Sequence, residues 1–205
     1  MDALWLYFTA AVSAYLLGSL NGSLMMSRWF LRDDIRKYGS GNAGATNVLR
    51  TYGVRWTVAV SLWDVGKGVL AVWIGRLLQP DAGYAALLAG FLVIIGHVFP
   101  LFFKFRGGKG VITACGVLFA LDWQTASIAL GLFLILLILT RYLSLGSICA
   151  VFTLPFLGLF FRREWAAVGM YASVAVLVIL LHRANIRRLL GGTENKFPRN
   201  KSTSE

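Results

Sequence analysis

Charge is scarce in this chain, and acidic charge scarcest: nine Asp and Glu stand against twenty Lys and Arg in 205 residues, and only 14% of positions are charged. Soluble domains carry about 25% charged residues. With 58% hydrophobic residues and a mean hydropathy of +0.69, the chain reads as an all-α, polytopic membrane protein. A formal net charge of +11 would suit nucleic acid, but the basic residues are scattered through short segments between apolar runs. Membrane orientation accounts for them better, and no nucleic-acid partner is expected. The two cysteines, Cys115 and Cys149, lie inside apolar runs without a CxxC or Cys/His pattern and read as small core residues. There is no repeat of fixed period and no second domain.

Catalytic signatures are missing too. The chain has no GxSxG elbow, no HExxH and no Cys or His group with structural-zinc spacing, so neither an acyl-enzyme, a metal nor a cofactor is expected. The His-x4-Asp motif of one large class of acyltransferases is absent as well: Phe102 and Arg187 stand five residues after His97 and His182. With only these two histidines as obvious side-chain bases, a phosphate oxygen of a substrate becomes a candidate proton acceptor.

What is present is a series of apolar runs. A helix of about 20 residues crosses the ~30 Å hydrocarbon core, and runs at 3 to about 26, 54–78, 84–103, 111–121, 124–140, 146–161 and 165–181 predict seven transmembrane helices. The first has no positive leading region or cleavage site and reads as a retained helix. The fourth is short unless Gly107 to Gly110 extend it. Gln79, Pro80, Asp81 and Gly83 read as a tight turn. Residues 1–196 form one transmembrane domain, and 197–205 read as a polar, disordered tail. Seven crossings place sixteen of the twenty Lys and Arg on one side, leaving Arg76, Arg162 and Arg163 opposite and Lys67 buried. The positive-inside rule makes the richer side cytoplasmic, with the N-terminus outside and the C-terminus cytoplasmic. A re-entrant fourth segment would weaken that bias.

Three polar segments then fall on the same side. In GSGNAGATNVLR, Gly39 to Arg50, closely spaced glycines such as Gly41 and Gly44 let amide groups turn inward as an anion-binding nest. Ser40, Asn42, Thr46 and Asn47 add donors, and Arg50 offers a two-pronged grip on phosphate. The competing reading is a polar turn between membrane helices. KFRGGKG, Lys104 to Gly110, is a second glycine-rich basic loop, in which Lys109 either acts with backbone amides on one anion or anchors the next helix. HRANIRR carries His182 and Asn185 at i,i+3 spacing on one helical face; His182 is alternatively an interfacial residue. Asp64 and Lys67 also share a helical face, as a structural ion pair or as part of the chemistry. His97 is either a site residue or a helix-end residue bonded to a carbonyl.

These motifs, with DVGKG at Asp64 to Gly68, GHVFPLFFKFRGGKGVIT, SLGS at Ser144 to Ser147 and HRANIRRLLGGTEN, resemble the PlsY family of bacterial integral-membrane acyl-phosphate:glycerol-3-phosphate acyltransferases over nearly the whole chain. The resemblance implies a multi-pass protein of the bacterial inner membrane with a cytosol-facing site. It implies transfer of a fatty acyl group from acyl phosphate to the 1-hydroxyl of glycerol 3-phosphate, giving lysophosphatidic acid and phosphate, without acyl-CoA or acyl carrier protein as direct donor. It places Ser40 and Arg50 among the catalytic residues. Gly107, Gly108 and Gly110 would bind glycerol 3-phosphate with Lys109 on its phosphate, His182 and Asn185 would be active-site groups, and Glu194 would serve structural integrity. Ser144 and Ser147 are supporting candidates. Ile112 departs from the Ala common in relatives, a change in apolar bulk only. The acyl tail would lie in lipid between helices, with Gly90, Gly116 and Gly131 making room. A transporter or channel for a phosphorylated solute is the alternative that apolar spans and buried ions also suit.

Overall fold

A computed structural model describes residues 3–79 and 83–197. The Pro80–Asp81 part of the expected turn and the tail from residue 198 lie outside the described residues. Among the described residues all regular secondary structure is helical, without strands. The elements are α1 (Ala3–Ser19), α2 (Gly22–Met25) running on as a wider turn to Phe30, α3 (Ala45–Tyr52) and α4 (Val54–Leu78). There follow α5 (Tyr84–Val98), α6 (Val111–Leu121), α7 (Trp123–Thr140), α8 (Leu143–Phe160), α9 (Trp165–Leu181) and α10 (Arg183–Leu190). Each of the seven apolar runs is helical. By length and composition α4, α5 with its extension to Phe103, α7 and α8 can each cross a membrane alone, while the α1–α2 and α9–α10 stretches qualify only as bent pairs.

The first run is not one continuous helix. It breaks at Leu20–Asn21 with a bend of 45°, because Asn21 caps a new helix by accepting the amide of Leu24 at 3.1 Å. Carbonyls freed by such a break need partners away from water. Lys67 Nζ donates to Gly18 O and Leu20 O at 3.1 and 3.3 Å, and Trp63 Nε1 donates to Leu20 O at 2.8 Å. The partners come from α4, more than forty residues away.

Between membrane helices, where lipid tails are as apolar as leucine, close backbone approach is a main source of cohesion. A Cβ on Gly18 of α1 would overlap Val93 O of α5, and one on Gly96 of α5 would overlap Tyr15 O of α1. The α4–α6 contact is built the same way, with Gly68 facing Thr113 O and Gly116 facing Val65 O. Gly116 is therefore committed to helix packing and makes no room for an acyl tail. Gly90 is filled by Val117, Leu121 and Met170, whereas Gly131 faces open space.

At one end of the bundle, Asp122 caps α7 through Thr125 and pairs with Arg163 at 2.7 and 2.8 Å, with the Tyr171 hydroxyl at 3.2 Å. Arg76 donates to Ala120 O there at 2.7 Å. The three glycine-rich or basic segments gather at the other end.

Candidate phosphate-binding active site

The first loop is shaped before it is charged. Gly39 and Gly41 have φ of +55° and +70°, angles open to glycine at no steric cost. A Cβ on Gly39 would overlap Asn47 Oδ1. That oxygen accepts the Ser40 amide at 3.1 Å, while Asn47 Nδ2 donates to Ile35 O and Tyr38 O at 3.1 and 2.9 Å. The Asn47 carboxamide is thus spent on holding the loop, which leaves Ser40, Asn42 and Thr46 as its polar side chains toward the cleft. Gly44 opens α3 in an extended conformation with no side-chain cap; the Asn47 amide already bonds Gly44 O at 2.9 Å, so the Ala45 and Thr46 amides are the ones left available to an anion.

The second loop explains why α6 has only eleven residues. After Val98 the chain runs out through Leu101–Phe103, turns at Lys104 and Phe105, whose φ are +60° and +56°, and comes back. Gly107 N donates to Val98 O at 3.0 Å and Gly108 N to His97 O at 3.2 Å. The returning segment brings Lys109 level with the last turn of α5 and starts α6 there. A Cβ on Gly107 would overlap His97 O, and one on Gly108 would overlap the His97 ring. These two glycines are required by close approach, and they lie behind the cleft wall. Arg36, paired with Asp34 at 2.7 Å, donates to Phe103 O and Arg106 O at 3.1 and 3.0 Å and ties the second loop to the first.

The third segment follows a 60° bend between α9 and α10. His182, 3% exposed, donates from Nδ1 to Val178 O at 2.8 Å, which leaves Nε2 of the neutral ring as an acceptor. Burial, with the Lys109 charge adding, pushes its pKa down to about 4. Lys109 Nζ donates to Asn185 Oδ1. Burial likewise lowers the Lys109 pKa to about 8; Glu194 opposes the shift, and Arg188 and Arg50 reinforce it. Glu194 accepts from Asn185 Nδ2 at 2.7 Å, Ser144 Oγ at 2.8 Å and Arg188 Nε at 2.7 Å. The terminal segment is strapped down by Phe197, whose amide donates to Arg141 O at 2.7 Å while its carbonyl accepts from the Arg141 guanidinium.

Burial works to raise the Glu194 pKa, but the Asn185, Ser144 and Arg188 hydrogen bonds outweigh it and hold the carboxyl below 4.5. A carboxyl depressed on folding stabilises fully above its unfolded pKa and loses that contribution as pH falls through its folded value. Glu194→Gln is therefore expected to melt well below the wild type at pH 7 in detergent, with the gap closing below about pH 4.5. An equal gap at both pH values would show that the carboxylate charge is not what holds the strap.

All three segments line one cleft of about 450 Å³. Ser40, Gly41, Asn42, Gly44, Thr46, Arg50, Lys109, Gly110, Ser144, Ser147, His182, Asn185 and Glu194 border it, with Arg183 and Arg188. Val111, Ile112, Phe133, Leu143 and Leu181 give it an apolar side. Asn47, Asp64 and His97 also reach its boundary, whereas Lys67, Gly107 and Gly108 support it from behind. Asp64 and Lys67 form the ion pair their spacing suggested, at 2.8 Å. Three contributors escaped the sequence reading: Asn21, Arg36 and Thr113. Asn21 alone left a usable signal, as a polar cap residue inside an apolar run.

A bundle of apolar helices with a cationic, amide-rich cleft at one end defines a multi-pass integral membrane protein built to hold anionic substrates. A family profile described as glycerol-3-phosphate acyltransferase matches residues 8–192, and the chain belongs to that family. It is 44% identical over 187 residues to the glycerol-3-phosphate acyltransferase of Thermoanaerobacter pseudethanolicus, covering 91% of this chain and 93% of that one. It is 43% identical over 210 residues to that of Halalkalibacterium halodurans, with both chains covered in full. The crystal structure of PlsY, an integral membrane glycerol 3-phosphate acyltransferase, in its glycerol 3-phosphate form superimposes with a TM-score of 0.88 at 34% identity, over 94% of this chain and 96% of that chain. Its lysophosphatidic acid form gives 0.85 at 33% identity, over 94% and 95%.

Proposed function

We propose that this chain transfers a fatty acyl group from acyl phosphate to the 1-hydroxyl of glycerol 3-phosphate, releasing lysophosphatidic acid and inorganic phosphate. The observation that carries the reading is the convergence of Arg50, Lys109, the uncapped start of α3 and neutral His182 on a cleft with one apolar side. An acyl phosphate is already activated, so catalysis reduces to orientation and to stabilising charge on the carbonyl oxygen and the leaving phosphate. Lys109 and the loop amides serve that developing charge, and Arg50 serves a substrate phosphate. The apolar side takes the start of the acyl chain, whose remainder lies in lipid.

In the transfer, the glycerol hydroxyl oxygen forms the new ester bond to the carbonyl carbon and the bond from that carbon to the phosphate oxygen breaks. The hydroxyl proton leaves on the departing phosphate. His182 Nε2, unprotonated at neutral pH, orients that hydroxyl as an acceptor. Seven crossings, an outside N-terminus and a cleft on the cytoplasmic face of the bacterial inner membrane complete the reading.

One experiment tests donor and sidedness together. Inverted inner-membrane vesicles given acyl phosphate and glycerol 3-phosphate are expected to form lysophosphatidic acid and phosphate in equal amounts. Right-side-out vesicles are expected to do so only after permeabilisation, and acyl-CoA to give nothing in either. Turnover with acyl-CoA, or equal rates in the two sealed orientations, would sink the respective part.

A further inference from the structure

Beneath the cleft lies a polar cluster that the bond-making step does not call on. Asp64 is 1% exposed, Lys67 2% and His97 3%. Lys67 Nζ, which has only protons to give, stands 2.8 Å from Asp64 Oδ1 and 3.0 Å from His97 Nδ1. Thr113 Oγ1 lies 3.1 Å from the same ring nitrogen. Asp64 Oδ1 also accepts the Gly22 amide at 3.2 Å, where α2 begins. At the other edge of the ring, Asn21 Nδ2 lies 3.4 Å from Nε2 and donates to His97 O at 3.3 Å and to Ala43 O at 3.4 Å. Ala43 belongs to the first glycine loop. Gly108, of the second, rests on the ring and has Ala43 O close by as well.

A buried ion pair is a poor source of stability, since well-packed apolar residues of similar volume often replace it at no loss. What it provides that leucine would not is direction. Among the described residues, every side-chain hydrogen bond of this cluster beyond its own members and Thr113 is to backbone, at the α1–α2 break or in the first loop.

We propose that Asp64, Lys67, His97 and Asn21 are positioning residues for the acyl transfer, setting the separation between Ala43 and Gly108 and therefore between the start of α3 and the Lys109 ammonium. This inference rests on the proposed function. The ion pair fixes the imidazole, the imidazole and Asn21 fix both loops, and Lys109 follows Gly108. A shift of about 1 Å at a reacting group can cost about 10²-fold in rate.

The double variant Asp64→Asn/Lys67→Met removes both charges without leaving one unpaired. Because Gly18 O loses its donor while Leu20 O keeps Trp63, it is expected to fold with a lowered thermal midpoint in detergent, while kcat falls about 10²-fold. A second readout needs no turnover: the pH dependence of Lys109 acetylation by acetic anhydride, followed by mass spectrometry. The midpoint is expected near 8 in the wild type and to move toward the ordinary 10.5 in the double variant as the loop loosens into solvent. His97→Asn, whose carboxamide oxygen can accept from Lys67, is expected to recover part of the kcat lost in His97→Ala.

A folded double variant with wild-type kcat and an unmoved Lys109 midpoint would overturn the proposal. If the double variant does not fold, the histidine pair decides: equal kcat in His97→Ala and His97→Asn, at equal thermal midpoints, overturns it. Should the wild type fail to use acyl phosphate at all, the functional reading falls, while the acetylation profiles still judge the cluster.

Discussion

Replacing Lys109 by methionine is expected to lower turnover by about 10²–10³-fold, the range seen when one donor to a developing oxyanion is removed, with little change in thermal midpoint. Methionine keeps the stem that packs against the loop and removes only the ammonium. That ammonium is where the three segments meet: it bonds Asn185, whose carboxamide is fixed by Glu194, while Arg50 and Arg188 stand near enough to lower its proton affinity. With a pKa of about 8, Lys109 is mostly charged at pH 7. A catalytic cation with a lowered pKa is active below that value and lost above it, so wild-type kcat should hold level up to about pH 7 and decline through pH 8. His182, pushed to about 4, stays neutral over the same range and adds no acid limb between pH 5 and 8. In Lys109→Met the residual rate should lose the alkaline decline, and in Lys109→Arg, charged throughout, the decline should also be absent. Near-normal turnover in Lys109→Met, or an alkaline limb surviving in it, would remove Lys109 from the chemistry.

The parts of this protein that were legible in its sequence are those set by local pattern. Apolar length located every long helix, and i,i+3 spacing anticipated the Asp64–Lys67 pair. Glycine density pointed to both loops. Parity of crossings grouped the three polar segments, and one cleft does hold them. What could not be read depends on partners distant in the chain. The α1–α2 break is stabilised by Lys67 and Trp63 from another helix, so its hydropathy looks uninterrupted. The hairpin that shortens α6 depends on Gly107 and Gly108 returning to Val98 and His97, a pairing that a basic glycine-rich string does not announce. Asn47 looked like a phosphate ligand by residue type, yet three backbone groups of its own loop occupy it. Glu194 carries no motif of its own; its place came from the family resemblance, and its hub of three donors is visible only once α8, α10 and the strap are folded together.

Arg50→Ala is expected to reduce kcat/KM for glycerol 3-phosphate by about 10–10²-fold, the equivalent of one charge-assisted hydrogen bond at roughly 1.5–3 kcal/mol. Arg50 sits in the last turn of α3, four residues after Thr46, so both face the cleft from one side of the helix. Among the described residues it forms no ion pair, and its one side-chain hydrogen bond is a long 3.5 Å one to Asn195 O. A cation left without a carboxylate beside a hub that gathers Arg188 is placed for an anion that arrives with the substrate. Because so little of the fold leans on it, the thermal midpoint should hardly move, which separates this loss from the destabilisation expected for Glu194→Gln. Arg50→Lys keeps the charge but not the planar fork, so it should recover only part of the activity. The double variant Arg50→Ala/Lys109→Met then decides whether the two cations serve one phosphate or two. Groups acting on the same phosphate are coupled, and the combined loss should fall well short of the sum of the single losses in free energy. Full additivity would assign Arg50 and Lys109 to different substrate phosphates and divide the cleft between the two glycine loops. Wild-type kcat/KM in Arg50→Ala would leave α3 with a structural role only.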